Sequence, residues 1–265
     1  MLQHIAIGQY VPGQSFLHQT DPRSKLLFVI LFAALVFWAN NAATYAVLVG
    51  FMLAGILLSR LSLSYILKSL RPVWLLILFT VVLHLVITKG GEVYFRWGWL
   101  SVEEMGVRQA VFISLRLTLL VLISSLLTLT TSPIDLTEGL ERLLGPTGRI
   151  GVPVHEIALM MSIALRFIPT LMEETDKIIK AQTARGANLT EGSLVRRARS
   201  LMPIVIPLFV GAFRRAEELA LAMEARGYRG GVGRTRLRRL KWSWRDGCVA
   251  AAACALTFVI GWWRT

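Results

Sequence analysis

Apolar runs broken by short polar stretches dominate this 265-residue chain. The first, "LLFVILFAALVFWA" (26–39), ends at Asn40-Asn41, and "ATYAVLVGFMLAGILL" (43–58) follows at once. Each is slightly shorter than the roughly 20 residues that cross a bilayer as a helix. With only a tight polar break between them, they predict a helical hairpin whose tip is Asn40-Asn41. "VWLLILFTVVLHLVI" (73–87) comes after Pro72, which reads as a first-turn proline. "AVFISLRLTLLVLISSLLTL" (110–129) is long enough to span outright, after a stretch read as a polar loop. The last run, "GCVAAAACALTFVIGWW" (247–263), ends in a tryptophan pair, as interfacial anchors often do. The pattern predicts an all-α integral membrane protein with about five transmembrane helices.

Between the fourth and last runs the periodicity changes. "TSPIDLTEGLERLLGP" offers Ser132 as an N-cap and Pro133 at the first helical position, and it stops at Gly145-Pro146. From Pro153 onward, Ile157, Met160, Met161, Ala164, Ile168 and Leu171 recur at three- and four-residue steps. That spacing predicts an amphipathic helix of about thirty residues, kinked at Pro169, with one apolar stripe. It should end at Arg185-Gly186, because glycine suits a left-handed C-cap and arginine suits the negative end of the helix dipole. A second such segment passes Pro203 and Pro207, which interrupt its most apolar part, and stops at Arg226-Gly227. The predicted organisation is therefore residues 1–131 with four spans, a helical region over 132–246, and a last span over 247–265.

Charge sets the orientation. The chain carries 29 Lys and Arg against 16 Asp and Glu, a net charge of +13. Nucleic-acid binding is the reading such a balance first suggests, but the apolar runs exclude it in favour of a membrane protein with basic inner loops. Arg60, Lys68 and Arg71 stand without an acid between the second and third runs, whereas Glu92, Glu103 and Glu104 offset Lys89, Arg96 and Arg108 in the next loop. Residues 132–246 hold 19 basic and 12 acidic side chains, a balance of 19 − 12 = +7. A cytoplasmic N-terminus, a cytoplasmic 132–246 region and an outward C-terminus follow. The run Arg229 to Arg245, with seven basic residues and no acid, reads as an anchor on anionic lipid.

Ala184-Arg185-Gly186 and Ala225-Arg226-Gly227 repeat at an offset of 41, where both long helices stop. Arg-Gly is an ordinary helix end, so either copy alone reads as a cap. Two copies at the ends of two long cytoplasmic helices read as docking tips. A guanidinium there can take a carboxylate bidentately, and breaking such a desolvated pair commonly costs about 2–5 kcal/mol. Two similar tips suit two similar acceptors, and so docking to a pair of homologous subunits.

The stretches "VPGQSFLHQTDPRSKLL", "LTLTTSPIDLTEGLERLL", "MMSIALRFIPTLMEETDKIIKAQTARGA" and "RRAEELALAMEARGYRGG" resemble the EcfT family over almost the whole chain. EcfT proteins are the transmembrane scaffolds of energy-coupling factor (ECF) importers of vitamins and metal ions, and the form here is similar to that shared among many substrate-binding subunits in Gram-positive bacteria. The resemblance implies that two coupling helices end in a small-arginine-small motif, matched by Ala184, Arg185 and Gly186 and by Ala225, Arg226 and Gly227. Each motif would enter a groove of one of two ABC ATPases, and the helices would support a membrane-embedded S component that binds the substrate. ATP-driven movement of the helices would topple the S component and release its cargo inside.

Other residues fit that picture or stay neutral. Pro203 and Pro207, with the adaptable side chains of Met160, Met161 and Met202, are candidates for S-component contact. Arg116 in the fourth run is expected to snorkel outward with a local partner, and His84 to be a hydrogen-bonded packing residue. Arg166 is expected to pair with Glu138 or Glu141. Cys248 and Cys254 read as membrane thiols without chemistry, and no cofactor or metal site is expected. No cleavable signal peptide stands out at the start. Gly-Lys never occurs, so no phosphate-binding loop exists and the chain is not expected to hydrolyse ATP. The rival reading is a self-contained channel or carrier for a cation or small solute. It requires polar groups lining several spans and leaves both Ala-Arg-Gly tips without a role.

Overall fold

The computed structural model describes residues 10–97, 100–187, 194–230 and 242–263. Among them are eight α-helices and a two-stranded sheet: α1 (Pro22–Trp38), α2 (Ala42–Ser59), α3 (Leu63–Ile87), β1 (Val93–Trp97), β2 (Leu100–Glu103), α4 (Glu104–Thr130), α5 (Pro133–Leu144), α6 (Val154–Ala184), α7 (Leu194–Ala225) and α8 (Trp244–Trp263). The chain divides into two compact units, one of Gly8–Leu140 with Leu240–Thr265 and one built on Glu141–Arg239. Residues 132–140, placed by the sequence pattern with the long helices, thus belong to the first unit. Their attachment is close: a Cβ on Gly139 would stand 3.0 Å from the Pro22 side chain. Most of the basic run before the last helix, residues 231–241, lies outside the described residues.

In the first unit α1, α2, α4 and α8 pack around Phe32, Leu35, Val36, Tyr45, Leu48, Met52, Leu119, Ile123, Leu256 and Ile260, all almost fully buried. Phe28, Phe32 and Phe51 form a ring cluster with centroids 5.4–6.4 Å apart. The hairpin tip forms as expected, with Asn41 capping α2 through reciprocal bonds with Thr44. Arg116 finds its local partners there: its Nε donates to the Tyr45 hydroxyl at 3.2 Å, and its guanidinium sits 5.3 Å over the Phe37 ring. His84 is hydrogen-bonded to the Thr80 carbonyl one turn back, at 2.8 Å.

Three local expectations need correction. Pro72 is not in a first turn, because α3 starts nine residues earlier at Leu63 and runs through it. The stretch between the third and fourth runs is not only loop: β1 and β2 pair antiparallel, with Trp97 opposite Leu100, and α4 begins at Glu104. Pro203 and Pro207 do not break α7, which continues through both.

Among the described residues five helices are long and apolar enough to cross a membrane: α2, α3, α4, α6 and α8. The first apolar run folds as the 17-residue α1, and α6 takes its place in that set. Length and hydropathy select α6, but they ignore its sidedness: its apolar residues form one stripe beside Glu173, Glu174, Asp176 and Lys177. The core position of α1 between α4 and α8 marks it as part of the membrane bundle.

One end of this bundle is held by buried polar groups. The Asp21 carboxylate accepts from the Arg23 backbone N–H at 2.9 Å and from its guanidinium at 3.1 and 2.9 Å. The Asp21 N–H donates to Asp246 Oδ1 at 2.8 Å, and Asp246 Oδ2 accepts from the Ser243 N–H at 2.7 Å. Lys25 Nζ donates to the Thr130 carbonyl and the Thr131 hydroxyl at 3.1 and 2.9 Å. The starts of α1 and α8 and the end of α4 are therefore joined by groups that are satisfied pairwise, as an apolar surrounding demands.

Candidate functional site

The second unit presents the two Ala-Arg-Gly copies. Helix α6 forms over 31 residues because its apolar positions keep one face, and it stops where that face stops. Arg185 is its C-cap, and Gly186 takes φ +85°, a conformation that a Cβ would strain. The Gly186 N–H donates to Thr183 O at 2.9 Å and the Ala187 N–H to Gln182 O at 3.0 Å. Those two bonds make a complete Schellman motif. Helix α7 ends in the same way: Gly227 has φ +72°, its N–H donates to Glu224 O at 2.8 Å, and the Tyr228 N–H donates to Met223 O at 3.0 Å.

The repeat in sequence is therefore a repeat in backbone geometry. Ala184 and Ala225 are the last helical residues, Arg185 and Arg226 the caps, and Gly186 and Gly227 the left-handed residues that turn the chain away. All six are exposed. Around either glycine nothing lies within 4 Å of where a Cβ would be. Each arginine is thus carried at a narrow helix end with open space beside it. The small residues on both sides leave the backbone there open to close approach.

Helices α6 and α7 pack antiparallel. Arg215 pairs with Glu174 at 2.5 Å, a Cβ on Gly211 would stand 3.1 Å from Glu174 Oε1, and Gln182 Nε2 donates to Pro203 O at 3.4 Å. The last contact has a cause in the sequence. Pro207 has no N–H, so the Pro203 carbonyl has no helical donor, and Gln182 supplies one. From Glu174 to Arg185 is 11 residues, and from Gly211 to Arg226 is 15. At about 1.5 Å per residue the tips extend roughly 16 and 22 Å from that contact, in opposite directions.

The candidate S-component residues divide along the same axis. Met202 and Pro203 sit beside the end of α6, through Gln182, and Pro207 follows one turn on. Met160 and Met161 lie in the first third of α6, on the far side of Glu174. All five are exposed. The structure therefore does not gather them into one patch. It adds residues that the sequence pattern did not single out: Val205, Ile206, Phe209, Val210 and Phe213 continue an exposed apolar face along α7. Their three- and four-residue spacing is the available signal, obscured because Pro203 and Pro207 read as an interruption of that apolar stretch.

Arg166 does not pair as expected. It is exposed, and Glu141 instead meets His155 of α6, with Nδ1 to Oε1 at 3.0 Å. Glu138 belongs to the first unit, where it acts on Arg23. Among the described residues no group of three or more His, Cys, Asp or Glu side chains is placed to hold a metal ion.

Comparison with known proteins bears on this arrangement. The cobalt transport protein family CbiQ matches residues 13–237. The energy-coupling factor transporter transmembrane protein EcfT of Brevibacillus brevis is 81% identical over 265 residues, covering the whole of both chains. The protein of that description from Bacillus subtilis is 50% identical over 260 residues, 98% of each chain, and the one from Listeria innocua is 46% identical over the full length of both.

Proposed function

The chain belongs to the CbiQ/EcfT family, the transmembrane components of energy-coupling factor transporters, and from that membership we propose how it works within one. It is the non-catalytic scaffold of an ABC-type importer of vitamins or other micronutrients. Two partner ATPases hydrolyse the ATP, and α6 and α7 pass their movement to a membrane-embedded S component that holds the substrate. The carrying observation is the pair of identical Schellman ends, each with an exposed arginine and pointing away from the other. Two equal ends require two equal acceptors, one for each ATPase. The exposed apolar face of α7 and the methionines of α6 are the surface for the S component. The N-terminus and the Glu141–Arg239 unit lie on the cytoplasmic side, as the lysine and arginine distribution requires.

The geometry also explains why the tips are arginine. An exposed cation at a helix C-terminus faces the negative end of the dipole, and its planar fork can hold a carboxylate with two bonds. On docking, the groove removes water from that pair and raises the contribution of the contact. The test is co-purification in detergent with the two candidate ATPases, comparing the wild type with Arg185→Glu, Arg226→Glu and the double variant. Loss of both ATPases from the double variant, while the chain remains folded and membrane-inserted, is expected. Undiminished capture would reduce the arginines to helix caps and end the docking reading.

A further inference from the structure

A cavity of about 300 Å³ opens inside the membrane bundle, among α1, α2, α4 and α8. Phe28, Phe51, Gly55, Ile123, Cys248 and Ala252 contribute to its wall, which is almost wholly apolar. Its polar neighbours, Lys25 and Thr130, come from the start of α1 and the end of α4, and so lie at one end. From that end it reaches inward for seven residues of α4, Thr130 to Ile123, or roughly 10 Å. That length and volume give a section of roughly 30 Å², wide enough for one hydrocarbon chain. Small residues create the space: a Cβ on Gly55 would meet nothing within 4 Å. The rim reaches the surface at Leu58 and Cys248, both exposed.

Water does not suit such a space, because a buried water needs two to four polar partners. An empty space forfeits the dispersion contacts that a packed interior makes. In a bilayer the abundant apolar filler is an acyl chain. The charges at the open end select among lipids. Lys25 Nζ has three donors, of which Thr130 and Thr131 take two. Arg60 caps α2 two residues beyond Leu58, and Arg245 lies three residues before Cys248 in the first turn of α8. The acids at the same end are already engaged: Asp21 with Arg23, Asp246 with two backbone N–H groups, and Asp135, which also faces Lys25, with the Ser132 hydroxyl.

We propose that this cavity holds one acyl chain of an anionic phospholipid from the surrounding bilayer, its phosphate held at the open end by Arg60 and Arg245 with Lys25 behind them. The proposal requires only that the chain is a membrane protein, and it is independent of how the ATPases dock.

The test uses the full-length chain in nanodiscs of equal phosphatidylglycerol and phosphatidylethanolamine, followed by extraction into detergent and native mass spectrometry. One retained phosphatidylglycerol per chain is expected. Gly55→Leu and Ala252→Phe, which fill the cavity, should lower its occupancy at least fivefold, whereas Ala250→Phe on an exposed part of α8 should not. Arg60→Gln with Arg245→Gln should bring the two lipids to equal retention. Unchanged occupancy in both filled variants, or equal retention of the two lipids by the wild type, would overturn the proposal. Should the filled variants fail to fold, the native thiols give a second reading. Phosphatidylglycerol should slow maleimide reaction at Cys248 several-fold relative to Cys254 in the wild-type chain, and equal rates at both would count against the proposal.

Discussion

The membrane bundle and the α6–α7 pair are both made of long, apolar helices, yet they use their apolar residues differently. In the bundle, Phe32, Val36, Leu48 and Ile260 are fully buried against neighbouring helices of the same chain. In the pair, α6 buries only Val154 and Ala158, and the large side chains of α7 from Met202 to Phe213 remain exposed except for Ile204, which is buried, and Leu208, which is half-buried. Polar groups divide the same way. The bundle's Asp21, Lys25 and Asp246 are buried and bonded within the chain, whereas Arg185 and Arg226 stand free at helix ends. The bundle closes a core of its own and leaves its outer faces, most of α3 among them, to lipid; the pair encloses almost no core and leaves its stripe and its charges for something else to complete. That difference separates a residue needed for folding from one needed for assembly, and it can be tested variant by variant.

Asp246→Ala should have the largest effect. It takes the acceptor from two backbone N–H groups inside the bundle, at a cost of about 1–3 kcal/mol each, and removes a negative charge that acts on Arg23 and Lys25. Thermal unfolding in detergent should show a large drop or no folded protein; a wild-type melting curve would mean that the polar end does not hold the bundle together. Next come the tips. Gly186→Val or Gly227→Val places a β-branched side chain at positive φ and should cost roughly 1–2 kcal/mol in the last helical turn. ATPase capture should fall while bundle melting stays put, and the two variants should lose capture within about threefold of each other, because the two ends share one geometry. Strongly unequal losses would break the symmetry argument.

Smaller again is Glu174→Gln, which removes the charge pair with Arg215 between α6 and α7. Both side chains are partly exposed, so about 1 kcal/mol or less is expected. The readout is hydrogen exchange, faster near the α6–α7 contact and unchanged in α1 and α8. The smallest effect on the chain alone belongs to Phe213→Ser. As an exposed position it should change stability by no more than about 0.5 kcal/mol. Its signature is weaker association with the S component, measured by co-purification, and a loss of fold stability instead would place Phe213 in the wrong region.

Much of this contrast is written in the order of residue types. Hydrophobic run length determined the membrane class, and the three- and four-residue stripe determined α6. The Arg-Gly pairs determined where both long helices stop, since glycine alone takes the left-handed position cheaply. Ser132 does begin α5 as its composition suggests, its hydroxyl accepting from the Asp135 N–H at 3.2 Å. These features are local, governed by contacts within about one helical turn, and a single chain reading can reach them.

What tertiary structure decided involves groups far apart in sequence. Nothing local pairs Asp21 with Asp246, 225 residues away, or brings Lys25 to Thr130 and Thr131. Nothing local sends Glu141 to His155 rather than to Arg166. Nor could composition foresee that α7 would run through two prolines, because the carbonyl freed by Pro207 is met by Gln182 of another helix. Periodicity shows that a face is apolar; only packing shows whether this chain covers it, and here it covers the face of α1 and leaves that of α7 open.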